Sequence, residues 1–155
     1  MNVSRTMTNP AGGRILVVDD QENMCWVLSK LLSERGHAVG TAQSGARALK
    51  MLDGFDFQVV VVDYRLPDSN GIALSVQLRL RLPRLRSILM TSYGGDALRR
   101  QVINESLFAY LDKPFNNDVM IATIESGLRE WETDGEGGGG AKPRTLFPGR
   151  AHAGA

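Results

Sequence analysis

Residues that could take part in phosphoryl chemistry stand at the ends of the most apolar runs of the chain. The pair Asp19-Asp20 follows one such run, and Asp63 follows four consecutive valines. Thr91 and Lys113 end two later runs. Carboxylates that are drawn together repel one another unless a cation lies among them, and oxygen ligands of this kind suit Mg²⁺. Lysine and threonine can contact phosphoryl oxygens, so the set matches a metal-assisted phosphoryl transfer.

Each of these residues also has an ordinary structural explanation when it is taken alone. A strand-end aspartate commonly starts a turn or caps a helix, and Asp20 could cap a helix that begins at Gln21. Thr91 and a lysine before Pro114 carry no information by themselves. The joint pattern at the ends of four apolar runs is hard to obtain from structural needs, and it therefore favours a functional site.

The elements that must position these residues alternate between strand and helix. Continuous short apolar runs predict strands at 14–19, 57–63, 86–92 and 107–112, and residues 37–42 are predicted to form a weaker strand near an edge of the sheet. Apolar residues at helical spacing predict helices at 21–35, after Ser44, at 71–80, from the fourth strand to Asn104, and at 117–131. This order predicts a parallel sheet with helices on both faces. Such sheets bind ligands at the carboxyl ends of their strands, where the candidate residues lie.

The composition is that of a globular protein. Of 155 residues, 43% are hydrophobic and 23% are charged, and 18 basic residues nearly balance 17 acidic ones. This balance provides no global basic field for nucleic acid. The single cysteine excludes an intrachain disulfide and favours a reducing, cytoplasmic setting. No apolar run approaches the roughly 20 residues of a membrane span, so no membrane association is expected.

Hydrophobic patterning divides the chain into three parts. Residues 1–13 are predicted to be a flexible N-terminal arm, and residues 14–131 carry the pattern of a folded domain. Residues 132–155 contain four consecutive glycines, two prolines and few apolar residues. Because such a segment buries too little apolar surface to offset the entropy of ordering, it is predicted to be a flexible tail.

The motifs at the strand ends resemble those of response-regulator receiver domains of two-component signalling. The resemblance rests on the segments ILVVDD (15–20), VVVVDYRLPDSNG (59–71), ILMTS (88–92) and YLDKPF (110–115). A further segment, MCWVLSKLLSERGH (24–37), is similar to receivers of nitrogen-regulation-class transcription activators. The resemblance covers residues 14–131. It implies the flavodoxin-like (βα)5 three-layer α/β sandwich with strand order 2-1-3-4-5.

The resemblance also implies which residues would hold the phosphoryl group and the metal. Asp63 would be the phospho-acceptor. Mg²⁺ would be bound directly by Asp20, mostly through water by Asp19, by Asp63 itself and by the backbone carbonyl of Arg65. Thr91 would contact the phosphoryl group.

The resemblance implies further residues that would contact the phosphoryl group or change conformation when it is bound. Lys113 would contact the phosphoryl group, and a cis peptide bond between Lys113 and Pro114 would aim the lysine inward. Tyr110 occupies the family's aromatic switch position. Movement of Thr91 toward the phosphate would let the Tyr110 ring turn inward.

The implied function is a phosphorylation-dependent switch that catalyses its own phosphorylation and dephosphorylation and is not otherwise an enzyme. A sensor histidine kinase or a phosphotransfer protein would donate the phosphoryl group. Phosphorylation would change the surface of the fourth helix, fifth strand and fifth helix. That surface would control a downstream protein, a missing output domain or formation of a homodimer, as in transcription regulation. No helix-turn-helix or Walker-type loop is present, so direct nucleic-acid binding is not expected.

Two positions depart from the commonest family pattern. Arg65 and Tyr93 each lie two residues after a site residue, at positions that tune how long the phosphate survives. A long cation and a bulky ring there could shield the acyl phosphate from water, which predicts slow self-dephosphorylation. Ser106 and Leu107 replace a small pair before the fifth strand and leave the local surface undetermined.

Three other functions fit the sequence less well. A phosphate-ester hydrolase with Asp63 as nucleophile would usually carry a second acid where Arg65 stands. A flavin-binding protein would need a phosphate loop after the first strand, where Asp19 and Asp20 would repel phosphate. A receiver that acts only as a scaffold would not need the full set of site residues.

Overall fold

The computed structural model of the chain describes residues 12–137 and 144–148. Its five strands are β1 (Arg14–Val18), β2 (Ala38–Ala42), β3 (Val59–Asp63), β4 (Arg86–Thr91) and β5 (Ala109–Asp112). All strand pairs are parallel and the order across the sheet is β2-β1-β3-β4-β5. The predicted flavodoxin-like α/β fold and strand order are therefore confirmed.

One helix follows each strand. The helices are α1 (Glu22–Glu34), α2 (Gly45–Met51), α3 (Gly71–Arg81), α4 (Asp96–Asn104) and α5 (Asn117–Gly137). Ser44 caps α2, where its hydroxyl accepts a hydrogen bond from the Arg47 amide. Gly36 follows α1 with a φ of 93°, a left-handed conformation that glycine adopts without steric cost.

Each face of the sheet is covered by its own apolar core, because successive strand residues point to opposite faces. Leu16, Val60 and Leu89 belong to the core under α2, α3 and α4. Ile15 and Val61 belong to the core under α1 and α5. Both faces of β3 are thus buried, which explains the continuous valine run and fixes Asp63 at the end of a central strand.

The C-terminal part of the chain differs from the predicted flexible tail at the residues that the structure describes. Helix α5 continues to Gly137, past the predicted boundary at 132. Residues 144–148 lie beside β5, where Leu146 forms a parallel bridge with Ala109. The remainder of the predicted tail, and the predicted arm apart from Gly12 and Gly13, fall outside the described residues. Among the helices of the described part, none has the length and apolarity needed to cross a bilayer.

Candidate functional site

The predicted site residues gather at the carboxyl edge of the sheet. Asp63 is the last residue of β3, and Thr91 is the last residue of β4. Asp19 follows β1 directly, and Lys113 follows β5 directly. The parallel register places Asp63 beside Met90, one residue before Thr91. Four strands therefore deliver the groups that the sequence pattern singled out.

Three carboxylates and one ammonium group form the centre of this site. Asp19, Asp20 and Asp63 each place a carboxylate oxygen within 4.8 Å of the others. Lys113 Nζ lies 2.7 Å from Asp19 Oδ2 and 3.1 Å from Asp63 Oδ1. Asp19 is fully buried and Asp63 is buried, whereas Asp20 is exposed. The lysine therefore pairs with the two carboxylates that have least access to water and offsets one of their two negative charges.

Burial and ion pairing act in opposite directions on Asp63 and Lys113. Burial is the largest influence on Asp63 and raises its pKa above the ordinary value, while the hydrogen bond from Lys113 acts to lower it. Burial acts to lower the pKa of Lys113, but its hydrogen bonds to Asp19 and Asp63 outweigh this and raise the pKa. Lys113 is thus held in its charged form between the two acids.

The donor set of this cluster fits a hard divalent cation. Asp19, Asp20 and Asp63 offer only oxygen ligands, and they come within the spacing that one ion requires. Mg²⁺ prefers such oxygen ligands, and it is usually held by one or two carboxylates while it keeps several waters. The exposed Asp20 and a solvent-connected cavity leave room for those waters.

That cavity gives solvent access to Asp63. It has a volume of about 230 Å³ and is lined by Asp20, Gln21, Asp63, Arg65, Ser92, Tyr93 and Lys113. The Arg65 guanidinium carbon lies 4.6 Å from the centre of the Tyr93 ring. The two positions predicted to tune phosphate lifetime thus contact each other at the cavity that Asp63 lines.

The loop after β3 is held in place by its own hydrogen bonds. Gly71 N–H donates to the Tyr64 carbonyl, and Leu66 N–H donates to the Ser69 carbonyl. A Cβ atom at Gly71 would lie 2.6 Å from the Asp63 carbonyl oxygen, so only glycine allows this close approach. The backbone that carries Asp63 and Arg65 is therefore anchored at the start of α3.

Thr91 and the Lys113–Pro114 bond complete the site from the β4 and β5 side. The Thr91 side chain is buried, and its Oγ1 accepts a hydrogen bond from the Tyr93 N–H at 3.0 Å. The Lys113 N–H donates to the Thr91 carbonyl at 2.7 Å. The peptide bond between Lys113 and Pro114 is cis. Thr91 thus holds the backbone of Tyr93, whose side chain lines the cavity.

Tyr110 lies apart from the acidic cluster, on the side of the sheet that α4 covers. Its ring is buried in the same core as Leu98 of α4. Its hydroxyl donates to Asp112 Oδ1 at 2.9 Å, and the Arg99 guanidinium lies 5.3 Å from the ring centre. The Phe147 ring lies 5.6 Å away on a segment outside the main fold.

Several supporting residues were not identified by sequence reasoning. Asp68 accepts hydrogen bonds from the amides of Gly45 and Ala46, which lower its pKa and tie the loop after β3 to α2. Asp112 accepts from Tyr110 and lies 3.6 Å from Arg99. Asp112 could have been identified from the sequence, because it directly precedes Lys113 in the YLDKPF segment. The contact between Asp68 and the start of α2 could not, because no sequence pattern relates the two segments.

Residues 15–125 match the family model described as "Response regulator receiver domain". The transcriptional regulatory protein TcrA of Mycobacterium tuberculosis is 34% identical over 116 residues, which are 75% of this chain and 46% of that protein. The DNA-binding transcriptional regulator NtrC of Escherichia coli is 32% identical over 120 residues, which are 77% of this chain and 26% of that protein. The chain thus spans less than half the length of these relatives.

Solved structures of receiver domains have the same fold. The beryllofluoride-activated NtrC4 receiver domain dimer superposes with a TM-score of 0.72 at 30% identity, over 76% of this chain and 98% of that one. A signal receiver domain from Pseudomonas fluorescens superposes with a TM-score of 0.74 at 26% identity, over 78% of this chain and 98% of that one. Together with the family match, these likenesses show that the chain belongs to the response regulator receiver family, whose general function is a phosphorylation-dependent switch.

Proposed function

We propose that Asp63 is the residue of this receiver that accepts the phosphoryl group. The observation that carries the proposal is the position of its carboxylate, which lines the cavity beside Asp20 and is hydrogen-bonded to Lys113. Asp63 therefore combines access with a fixed orientation, which is what attack on a phosphoryl donor requires.

The surrounding side chains would assist that attack by managing charge. The Lys113 ammonium group contacts Asp63 Oδ1 and can also contact an oxygen of the arriving phosphoryl group. Asp19 holds Lys113 at 2.7 Å, and the Gln21 N–H fixes the other Asp19 oxygen at 2.9 Å. Mg²⁺ would offset the negative charge of the phosphoryl group. The ion would be bound by Asp19, Asp20, Asp63 and the Arg65 carbonyl. In this way the chain would catalyse its own phosphorylation and dephosphorylation.

Arg65 and Tyr93 are proposed to set the lifetime of the phosphorylated state. Hydrolysis requires a water molecule to approach the acyl phosphate through the cavity that these two side chains line. Their contact at 4.6 Å narrows this approach, since a stacked guanidinium and ring move less freely than either alone. We therefore propose slow self-dephosphorylation.

The proposed donor is a sensor histidine kinase or a phosphotransfer protein in the cytoplasm. The proposed output is a change at α4, β5 and α5 that controls a partner, an output domain or a homodimer. Tyr110 supports this proposal because its side chain connects β5 with Arg99 of α4. The relatives are transcriptional regulators by name, and the NtrC4 receiver is described as a dimer.

The test is phosphorylation by acetyl phosphate with Mg²⁺, followed by intact mass. We expect one added phosphoryl group on the wild type and none on Asp63→Asn. Asp53→Asn is the matched control, because Asp53 is an exposed aspartate that pairs with Arg81 and lies outside the site. Removal of Mg²⁺ with a chelator is expected to prevent the reaction.

The same experiment can contradict the proposal. Equal phosphorylation of Asp63→Asn and wild type would place the acceptor elsewhere. Failure of the wild type with acetyl phosphate, with beryllofluoride and Mg²⁺ and with a panel of histidine kinases would exclude a phospho-accepting role. Phosphorylation that is unaffected by chelation would remove Mg²⁺ from the proposed reaction.

A further inference from the structure

Residues 144–148 form a short segment along the outer edge of β5, here called the edge segment. The Leu146 N–H donates to the Phe108 carbonyl at 2.8 Å, and the Leu146 carbonyl accepts from the Tyr110 N–H at 3.0 Å. The Thr145 hydroxyl donates to the Leu107 carbonyl at 2.7 Å. The edge segment thus uses main-chain groups that an edge strand would otherwise offer to another chain.

The edge segment reaches both faces of the sheet at β5. Phe147 packs against the core on the α4 side, with its ring 5.6 Å from that of Tyr110. Leu146 is bridged to Ala109, which belongs to the core on the α5 side, and bridged residues point to the same face. The edge segment therefore packs Phe147 against the α4-side core, while Leu146 points to the α5 side and stays partly exposed.

We propose that the edge segment is an intramolecular cover of the α4–β5–α5 surface, and that it must leave before a second copy of this chain can associate there. A strand edge accommodates one neighbour, so the edge segment and a second copy compete for the Phe108 carbonyl and the Tyr110 N–H. The competition favours the edge segment, because six residues join it to α5 and keep its effective concentration high.

A second copy is the competitor that the chain itself supports. Two uncovered β5 edges can pair with each other about a twofold axis, because each edge offers the Phe108 carbonyl and the Tyr110 N–H that the edge segment otherwise uses. The NtrC4 receiver to which this chain is similar is described as a dimer. The inference concerns the output surface of the proposed function, but its test needs no phosphoryl donor.

The experiment compares the full chain with Leu146→Pro, Leu146→Ala and Phe147→Ala. Proline removes the N–H that donates to Phe108, whereas alanine at the same position keeps it. The rate of amide hydrogen exchange at Tyr110 measures how often the edge segment leaves β5, because this N–H donates to the Leu146 carbonyl. Sedimentation over a concentration series reports self-association of the same samples.

We expect Tyr110 exchange to be about fivefold faster or more in Leu146→Pro, since a net hydrogen bond contributes on the order of 1 kcal/mol. Leu146→Ala should stay near the wild type, and Phe147→Ala should fall between them. Leu146→Pro should dimerise at several-fold lower concentration than Leu146→Ala.

Equal Tyr110 exchange in wild type and Leu146→Pro would show that the edge is not covered. Faster exchange without stronger self-association would overturn the proposed competition. Neither result depends on whether Asp63 accepts phosphate.

Discussion

The guanidinium of Arg65 lies over the ring of Tyr93, with 4.6 Å between the guanidinium carbon and the ring centre. The two residues come from loops that follow different strands, β3 and β4. Both line the cavity at Asp63, although Tyr93 is 69% exposed. An exposed contact of this kind contributes only about 0.5–1 kcal/mol to stability, so its proposed role is to restrict access to the site.

This contact leads to a prediction about phosphate lifetime. After removal of excess acetyl phosphate, Arg65→Ala and Tyr93→Ala should each lose the phosphoryl group several-fold faster than the wild type. The reason is that either change opens the approach of water to Asp63. The decay is followed by intact mass over time. Tyr93→Phe keeps the ring and should decay at nearly the wild-type rate. An unchanged half-life in both alanine variants would contradict the shielding role.

A second prediction concerns the lysine between the acids. Lys113→Ala leaves the buried Asp19 facing Asp63 without a cation, and loss of one partner of a buried pair costs about 3–5 kcal/mol. We expect a loss of unfolding free energy toward the lower end of that range, measured by urea denaturation in chelator. Added Mg²⁺ should restore part of the loss, because a divalent cation again neutralises the acids.

The control for that prediction is Lys30→Ala. Lys30 pairs with Glu34 on the exposed surface of α1, and exposed pairs of this kind contribute about 0–1 kcal/mol. Its unfolding free energy should hardly change and should not respond to Mg²⁺ more than that of the wild type. If Lys113→Ala behaved like Lys30→Ala, the charge-neutralising role of Lys113 would be wrong.

The strand-end residues could be predicted from the sequence because buried parallel strands give continuous apolar runs, and the residue after each run is fixed in space. Asp19, Asp63 and Lys113 meet for that reason. The contact between Arg65 and Tyr93 depends on loop geometry that no periodicity encodes. The edge segment was missed because Leu146 and Phe147 stand among glycines and prolines. Their pairing depends on the free edge that β5 offers, which is a property of the assembled sheet.

A third prediction concerns acid sensitivity at the contact between α1 and α5. Arg35 donates two hydrogen bonds to Glu125, and His37 Nε2 lies 3.1 Å from the same carboxylate. The hydrogen bond from Arg35 is the largest cause that lowers the pKa of Glu125 from 4.5 to about 2. Because the pKa of Glu125 is lower in the folded state, its carboxylate stabilises the fold fully at pH values above its pKa in the unfolded chain. This stabilisation is lost as the pH falls to the pKa of the folded state.

Glu125→Gln should therefore reduce the unfolding free energy at pH 7, and the difference from wild type should shrink between about pH 4.5 and 2. Urea denaturation of both proteins across this range measures it. Glu132→Gln is the control, since Glu132 is an exposed glutamate of the same helix. A difference between Glu125→Gln and wild type that is the same at every pH would show that the charge of Glu125 does not stabilise the fold.

A fourth prediction concerns backbone strain before β5. Ser106 has a φ of 58°, in the left-handed region that side chains with a Cβ atom disfavour. Ser106→Gly should raise the unfolding free energy by about 0.5–1 kcal/mol, because relief of the strain exceeds the entropy that glycine adds to the unfolded chain. Ser106→Ala keeps the Cβ atom and should give no gain. The unfolding free energies of the two variants and the wild type are compared by thermal unfolding. A Ser106→Gly variant less stable than the wild type would show that Ser106 is not strained.

The last prediction concerns the two adjacent glycines before α4. A Cβ atom at Gly94 would collide with the Tyr110 hydroxyl and lie 2.7 Å from Asp112 Oδ1, whereas nothing lies within 4 Å of a Cβ atom at Gly95. Gly94→Ala should therefore move the Tyr110 ring and break its hydrogen bond to Asp112. Since Phe147 packs beside that ring, the amide of Leu146 should also exchange faster.

Gly95→Ala provides the matched control for this prediction, because it adds the same methyl group one residue away in open space. Gly95 is the N-cap of α4, where glycine is preferred to alanine, so the substitution should cost about 0.5–1 kcal/mol of stability without a steric clash. Exchange at Leu146 and Tyr110 should then remain as in the wild type. If Gly94→Ala and Gly95→Ala gave the same exchange rates, the Tyr110 ring would not hold the edge segment, and its pairing would depend on the main-chain hydrogen bonds of β5 alone.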